Sequence, residues 1–245
     1  MLLAIESATE LVGVALMDGG EIRFEVARTG RREHAETLAP MIEQGFAAVG
    51  ARAADLDVVA VDVGPGLFTG LRVGLAMAKG LAFAAGIGVV PVTSLQSLAR
   101  GCFDAGPFET ALVVIDARRG EVFAQCFERA ADSGVPVAVD EPHRYRPEEL
   151  ESALGEMVTA GGRVALVGDG ALRYAPTWRL PAEMTVCGDD LAGPPPGAVA
   201  RLASDLLSSG VEARDPVSVD ALYLREADAR INWSTRAGAG SASEG

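Results

Sequence analysis

The feature that most constrains the fold is the stretch Asp62-Val63-Gly64-Pro65-Gly66-Leu67-Phe68-Thr69-Gly70-Leu71-Arg72-Val73-Gly74. It follows the apolar run Val58 to Val61, which reads as a buried strand, and opens an apolar segment that reads as a helix over 69–86. Strand, glycine-rich turn and helix is how many α/β proteins cradle phosphate on backbone N–H groups. This turn fails the two best-defined phosphate patterns. A P-loop places lysine after its last glycine, and here Gly70 is followed by Leu71. A dinucleotide fingerprint needs a third glycine where Thr69 stands and an acid about 20 residues on; the next strand, 88–92, ends without one. Gly64-Pro65-Gly66 also fits a tight connection and nothing more.

The helix after the turn is more informative. Gly70, Gly74, Ala78, Ala82 and Gly86 recur every four residues and form one smooth stripe. Leu71, Val73, Leu75, Met77, Leu81 and Phe83 cover most of the rest, and Arg72 and Lys79 are its only charges. A helix this apolar is buried on more than one side. Two readings stay open: a helix sandwiched inside its own domain, or one whose small-residue face meets another subunit. A membrane span fits poorly, because Lys79 interrupts the run and Pro91 soon follows.

The length of 245 residues allows one large domain or two lobes, and 49% hydrophobic residues are ample for a core. Glu6 breaks the N-terminal apolar run, so no signal peptide is expected. Cys102, Cys126 and Cys187 are odd in number and scattered, which suits a reduced cytoplasm and gives no zinc framework. A net charge of −13 argues against a chain that grips nucleic acid mainly by itself.

Along the chain, 2–5, 12–17 and 21–27 read as strands, the last two joined by a turn at Asp18-Gly19-Gly20. Residues 34–49 read as an amphipathic helix with Leu38, Met41, Ile42, Gly45, Phe46 and Val49 on one face. Ser94 is expected to cap a short helix through Arg100, before a joint at Gly106-Pro107. The layout then restarts. Residues 111–116 form an apolar strand ending in an acid, Arg118-Arg119-Gly120 turns it, and 121–127 runs back, as 2–6 and 11–17 do. This implies two related lobes. Residues 129–146 read as loop or edge strand, 147–158 as a helix, 164–167 as a strand entering Gly168-Asp169-Gly170, and 198–207 as a helix. The expected division is an N-terminal lobe over 1–104, a C-terminal lobe over 105–230 whose last segment is a candidate to return to the first, and a flexible tail over 231–245.

Four acids stand at the ends of expected strands: Glu6, Asp62, Asp116 and Asp169. Open α/β sheets bind ligands outside the carboxyl ends of their strands, and acids there hold magnesium-bound water or sugar hydroxyls. In two lobes this is the layout of actin-like and sugar-kinase-like ATPases. The expected fold class is therefore α/β, with two ribonuclease H-like lobes of mixed sheets flanked by helices. For Asp169, between two glycines, simple turn chemistry is at least as good a reading.

The stretch Gly64 to Gly74 closely resembles the Gly-Pro-Gly-Ser-Phe-Thr-Gly-Leu-Arg-x-Gly motif of the TsaB (YeaZ) family, a partner in making threonylcarbamoyladenosine in tRNA. Further matches follow in the family's order: His34, Val90 to Leu95, Asp116 to Val122, Gly168-Asp169-Gly170 and Ala221 to Arg225. The resemblance covers about residues 1–230 and implies a non-catalytic accessory subunit that binds and activates the catalytic paralogue TsaD. Partners implied are a TsaD-like subunit, a TsaE-like ATPase, a second copy when alone, and tRNA mainly through the others. The implied interface is a helix bundle on 34–49 and 69–86, with Leu38, Met41, Ile42, Gly70, Gly74, Ala78 and Ala82 as candidate contacts. TsaD carries a His-x-x-x-His metal pair after its Val-Pro-Val strand; here Ser94 and Leu98 stand there, and His34 and His143 are the chain's only histidines. No metal site and no catalytic residue are expected. A peptidase is excluded by the absence of Gly-x-Ser-x-Gly and His-Glu-x-x-His. The first nucleotide loop is altered to Glu6-Ser7-Ala8-Thr9, with glutamate where the family carries aspartate. A vestigial nucleotide site on Glu6, Asp116, Gly168, Asp169 and Gly170 is expected to bind ATP weakly or not at all, so no cofactor is expected. The competing reading is an actin-like transferase or kinase that uses ATP on its own. Roles for His34 and Arg72 stay open beside a polar cap and a surface arginine.

Overall fold

The computed structural model describes residues 1–30, 34–157 and 162–224. Val158, Arg225 and the tail lie outside these residues, as does the side chain of His34. Two sheets are built on one plan. The first holds β1 (Leu2–Glu6), β2 (Leu11–Asp18), β3 (Glu21–Thr29), β4 (Val58–Asp62) and β5 (Gly88–Val92) in the order β3-β2-β1-β4-β5. The second holds β6 (Thr110–Arg118), β7 (Glu121–Glu128), β8 (Val137–Ala138), β9 (His143–Tyr145), β10 (Val164–Val167) and β11 (Met184–Val186) in the order β8-β7-β6-β10-β11, with β9 also on β7. In each, a central strand pairs antiparallel with its hairpin partner and parallel with the strand that returns beside it. This is the expected α/β class, two mixed sheets flanked by helices. The edge strand β11 escapes the sequence because three residues carry too little periodicity to register.

The central strands bury both faces, and the period of two divides each sheet between separate cores. On the first sheet, Leu3, Ile5, Val14, Val59 and Val61 pack beneath α1 (His34–Val49) and α2 (Phe68–Ala85). Leu2, Ala4, Ala15, Val58 and Ala60 face the other way, onto α6 (Pro196–Ser208). On the second sheet, Ala111, Val113 and Ile115 face α3 (Ser94–Ala105), while Leu112 and Val114 face α4 (Pro147–Met157) and α5 (Asp169–Tyr174). Helices α3 and α6 pack on each other between the sheets.

Helix α3 belongs to the core of the second sheet and α6 to that of the first, so the lobes exchange a helix across any cut near residue 104. Residues 211–224 run back over the first lobe: Val89 and Arg214 form a β-bridge, Val219 is buried in its core, and the Leu222 N–H donates to the Val63 carbonyl at 2.7 Å. The cap of α3 also moves by one residue. Thr93, not Ser94, accepts the Gln96 N–H at 3.1 Å, because the Ser94 hydroxyl is turned to Asp62.

Candidate functional site

The glycine turn is held by its neighbours rather than left open. Asp62 Oδ1 accepts the Gly64 N–H at 2.7 Å and the Ser94 hydroxyl at 2.8 Å. The Leu67 N–H donates to the Ala8 carbonyl at 2.6 Å, and a Cβ on Gly66 would stand 2.0 Å from that same oxygen. The β1–β2 connection thus fills the space beside the turn where a phosphate cradle would need room.

Glu6 completes this end of the sheet. Its Oε1 accepts the Ala8 N–H at 2.9 Å and the Thr9 N–H at 3.3 Å. Glu6 and Asp62 are both fully buried. Among the described residues, Oε2 of Glu6 and Oδ2 of Asp62 have no hydrogen-bond partner. Burial raises both carboxyls above their ordinary range, and Glu6 is raised well above it, by burial first and then by the Asp62 charge. The Gly64 N–H and the Ser94 hydroxyl pull Asp62 partly back. Burial and the neighbouring charge thus favour the protonated form, most strongly at Glu6.

At the equivalent end of the second sheet the acids meet arginines. Asp116 Oδ2 pairs with Arg118 at 3.0 Å and Arg173 at 2.7 Å. Asp169 Oδ1 accepts the Asp116 N–H at 2.8 Å. Burial is the main force pushing the Asp169 carboxyl up, to about 6; the Asp116 charge adds, while the Asp116 and Gly170 N–H groups and Arg118 oppose. Gly168 turns into α5 with φ of 109°, the same value as Gly64 in the first lobe. A Cβ on Gly170 would stand 3.0 Å from the backbone of β6, so close helix–strand packing accounts for that glycine. Arg118 also reaches across the cleft to Glu10 at 2.6 Å, tying the β6–β7 turn to the β1–β2 turn. A Cβ on Gly193 would stand 2.5 Å from Thr9 Oγ1, so the chain's own loops meet there as well.

The structure thus brings the expected acids into two groups, Glu6 with Asp62 and Asp116 with Asp169, and engages each with protein partners. Sequence reasoning placed Asp62 at a strand end but left it out of the site; its two-residue spacing to Gly64 is the signal for the turn it holds. Arg173 carried no local signal, because only the fold brings it to Asp116. Among the described residues, no group of three or more His, Cys, Asp or Glu side chains is placed to hold a metal ion.

The expected partner contacts lie within the lobe's own core. Gly70, Gly74, Ala78 and Ala82 are buried beneath α2, against the lobe's own sheet. A Cβ on Gly74 would stand 2.1 Å from Ser7 Oγ, and that hydroxyl donates to the Gly70 carbonyl at 2.9 Å. The small residues exist to let α2 sit down on β1. Leu38, Met41 and Ile42 of α1 lie in the same core. What α2 turns outward is different: Val73, Ala76, Met77, Gly80 and Leu81 line a shallow groove of about 470 Å³, and Phe83 beside it is 79% exposed. At the helix start the Arg72 guanidinium lies 3.7 Å from the centre of the Phe68 ring and donates to the Tyr223 hydroxyl at 3.3 Å. Helix α2 is also the one described helix long and apolar enough to cross a membrane, but its small-residue face is packed in the first core.

A family model described as TsaD, tRNA N6-adenosine threonylcarbamoyltransferase, matches residues 26–174. The chain is 31% identical to the tRNA threonylcarbamoyladenosine biosynthesis protein TsaB of Haemophilus influenzae, over 79% of this chain and 80% of that protein. The chain belongs to the TsaB (YeaZ) family. It is 32% identical to TsaB of Escherichia coli over 65% of this chain and 70% of that one. The solved structure of YeaZ from Pseudomonas aeruginosa superposes with a TM-score of 0.78 at 26% identity, covering 91% of this chain and 99% of that one. Ser94 and Leu98, where the sequence resemblance to TsaD would place histidines, are both engaged by the fold. Ser94 donates to Asp62, and Leu98 is fully buried in the second core.

Proposed function

We propose that this chain is a cytoplasmic accessory subunit of the machinery that makes threonylcarbamoyladenosine in tRNA, and that it binds and activates a TsaD-like catalytic subunit without chemistry of its own. One observation carries the reading: the exposed apolar face of α2, with its groove at Val73, Ala76, Met77, Gly80 and Leu81 and the projecting Phe83. Helix α2 contains no acid, although the chain as a whole carries a net charge of −13. An uncharged apolar face on an acidic protein is suited to burial against a partner. The occupant we assign is the matching helix of a TsaD-like subunit. The match of a TsaD family model to residues 26–174 supports this, since a related fold carries related helices that can pack about a pseudo-two-fold axis. A second copy of the chain would use the same face when the partner is absent, and a TsaE-like ATPase would join the pair.

The engaged acids support the absence of independent ATP chemistry. A magnesium nucleotide would have to displace the Glu10–Arg118 bridge and the Ala8–Leu67 contact before reaching either strand end.

Gly80 offers a clean test, because it is exposed and nothing lies within 4 Å of an added Cβ. Gly80→Arg should leave the fold intact, or stabilise α2 by about 0.5–1 kcal/mol through helix propensity. It should weaken binding to a TsaD-family subunit by at least tenfold in calorimetry. Unchanged affinity would remove α2 from the interface.

A further inference from the structure

Arg72 and Lys79 are the two charges of α2, and the fold treats them differently. After Asp215 the chain runs back beside the helix and meets both. Lys79 is spent on this return segment: its ammonium donates to the Val217 carbonyl at 3.4 Å and pairs with Asp220 at 3.6 Å. Arg72 gives the segment only its Nε, in the 3.3 Å bond to the Tyr223 hydroxyl. Among the described residues no carboxylate pairs with Arg72, and its Nη1 and Nη2 groups make no hydrogen bond. The guanidinium lies on the Phe68 ring, and the Tyr223 ring closes the cluster, 5.5 Å from that of Phe68. Both rings are 47% exposed, and Arg72 is exposed beside them.

We propose that Arg72, stacked on Phe68 and steered by Tyr223, is a clamp for a carboxylate side chain of the TsaD-like subunit. The inference rests on the reading of the outer face of α2 as the partner surface. Phe68, Arg72, Ala76 and Phe83 follow one another along one side of the helix, so the cluster is continuous with that face. The ring covers one face of the guanidinium and the tyrosine takes Nε, which fixes the plane and leaves the Nη1 and Nη2 edge for a ligand. A planar fork of this kind matches a carboxylate with two parallel N–H···O bonds. Because the side chain is already held, little of its freedom is lost on binding.

The setting favours a protein carboxylate over a nucleic-acid phosphate. A chain with a net charge of −13 repels a polyanion, and the surface around the cluster is apolar. Arginine and aromatic side chains are also where interfaces concentrate their binding energy. The groove on α2 offers apolar burial without direction; a two-bond pair beside it fixes the register of the partner helix.

The test is calorimetry of the full chain with a TsaD-family subunit across a series of salt concentrations. Arg72→Met keeps an apolar stem on Phe68 and removes the fork. It should weaken binding about tenfold or more and flatten the salt dependence, while the thermal midpoint of the free chain changes little. Arg72→Lys keeps the charge without the fork and should recover only part of the loss. Tyr223→Phe removes only the hydroxyl that takes Nε and should cost about two- to threefold. Wild-type affinity with Arg72→Met, while Gly80→Arg still abolishes binding, would overturn the clamp and leave α2 in the interface. Wild-type affinity with both variants would remove α2 from the interface and the clamp with it. Full recovery with Arg72→Lys would overturn the fork. A loss confined to tRNA binding by the assembled complex would assign Arg72 to a phosphate and overturn the carboxylate.

Discussion

The two sheets share one strand order, and their central strands end in acids at matching places, yet the acids are treated in opposite ways. At the end of the first sheet, Glu6 and Asp62 are sealed from water, and burial raises both carboxyls. At the end of the second, Asp116 is balanced by Arg118 and Arg173, whose side chains are 35% and 58% exposed. One end disfavours charge by burial and the other balances it with guanidinium groups. A catalytic strand end must leave carboxylate oxygens free for a metal, a water or a hydroxyl. At the second end arginines hold those oxygens, while at the first Glu6 Oε2 and Asp62 Oδ2 keep no partner among the described residues but are shut away from solvent. In the proposed function the working surface lies on the outside of α2 instead.

The contrast is most easily broken by removing the central acid at each end. Asp62→Ala strips the acceptor from the buried Gly64 N–H and Ser94 hydroxyl and leaves Glu6 alone, and should cost about 3 kcal/mol or more in urea unfolding. Asp116→Ala frees arginines that can rehydrate, and should cost only about 1 kcal/mol. Equal losses would show that the two ends are not different in kind.

Titration sharpens the same comparison. A carboxyl raised in the folded state binds more protons there than in the unfolded chain. Its contribution to stability is therefore complete below the unfolded value and is lost as pH rises through the folded one. For Asp169 the loss should end near pH 6. For Glu6, raised well above its ordinary range, it should continue higher. The gain of Asp169→Asn over wild type should thus level off just above pH 6, while that of Glu6→Gln keeps growing. Parallel curves would refute the larger upward shift of Glu6.

The smallest effect belongs to the bridge between the lobes. Glu10→Gln should cost about 0.5 kcal/mol at low salt, because the pair is partly exposed, and the cost should fade at high salt. A loss that salt does not screen would make the bridge a buried determinant of lobe closure.

Most strands were legible in the chain because they are apolar runs closed by an acid, and the restart at Ala111 exposed the internal repeat. The glycine turn was legible as a turn, and its departure from phosphate templates was read from Leu71 and Thr69. The direction of the stripe on α2 was not. Small residues every four positions show that something comes close, but not what, and here it is Ser7 of the chain's own β1. The exchange of α3 and α6 was equally hidden, since each helix is packed by strands distant in sequence. Arg173 beside Asp116 belongs to the same class, a long-range juxtaposition that no local pattern records.

The central claim is that this TsaB-family chain acts through the outer face of α2 and not through its strand-end acids. Formation of threonylcarbamoyladenosine on tRNA, measured with a TsaD-family subunit and its partners and with the chain as wild type, Gly80→Arg or Asp116→Asn, tests it directly. The account predicts product with wild type and with Asp116→Asn, and product reduced to the level without the chain for Gly80→Arg. Full activity with Gly80→Arg and loss with Asp116→Asn would contradict it.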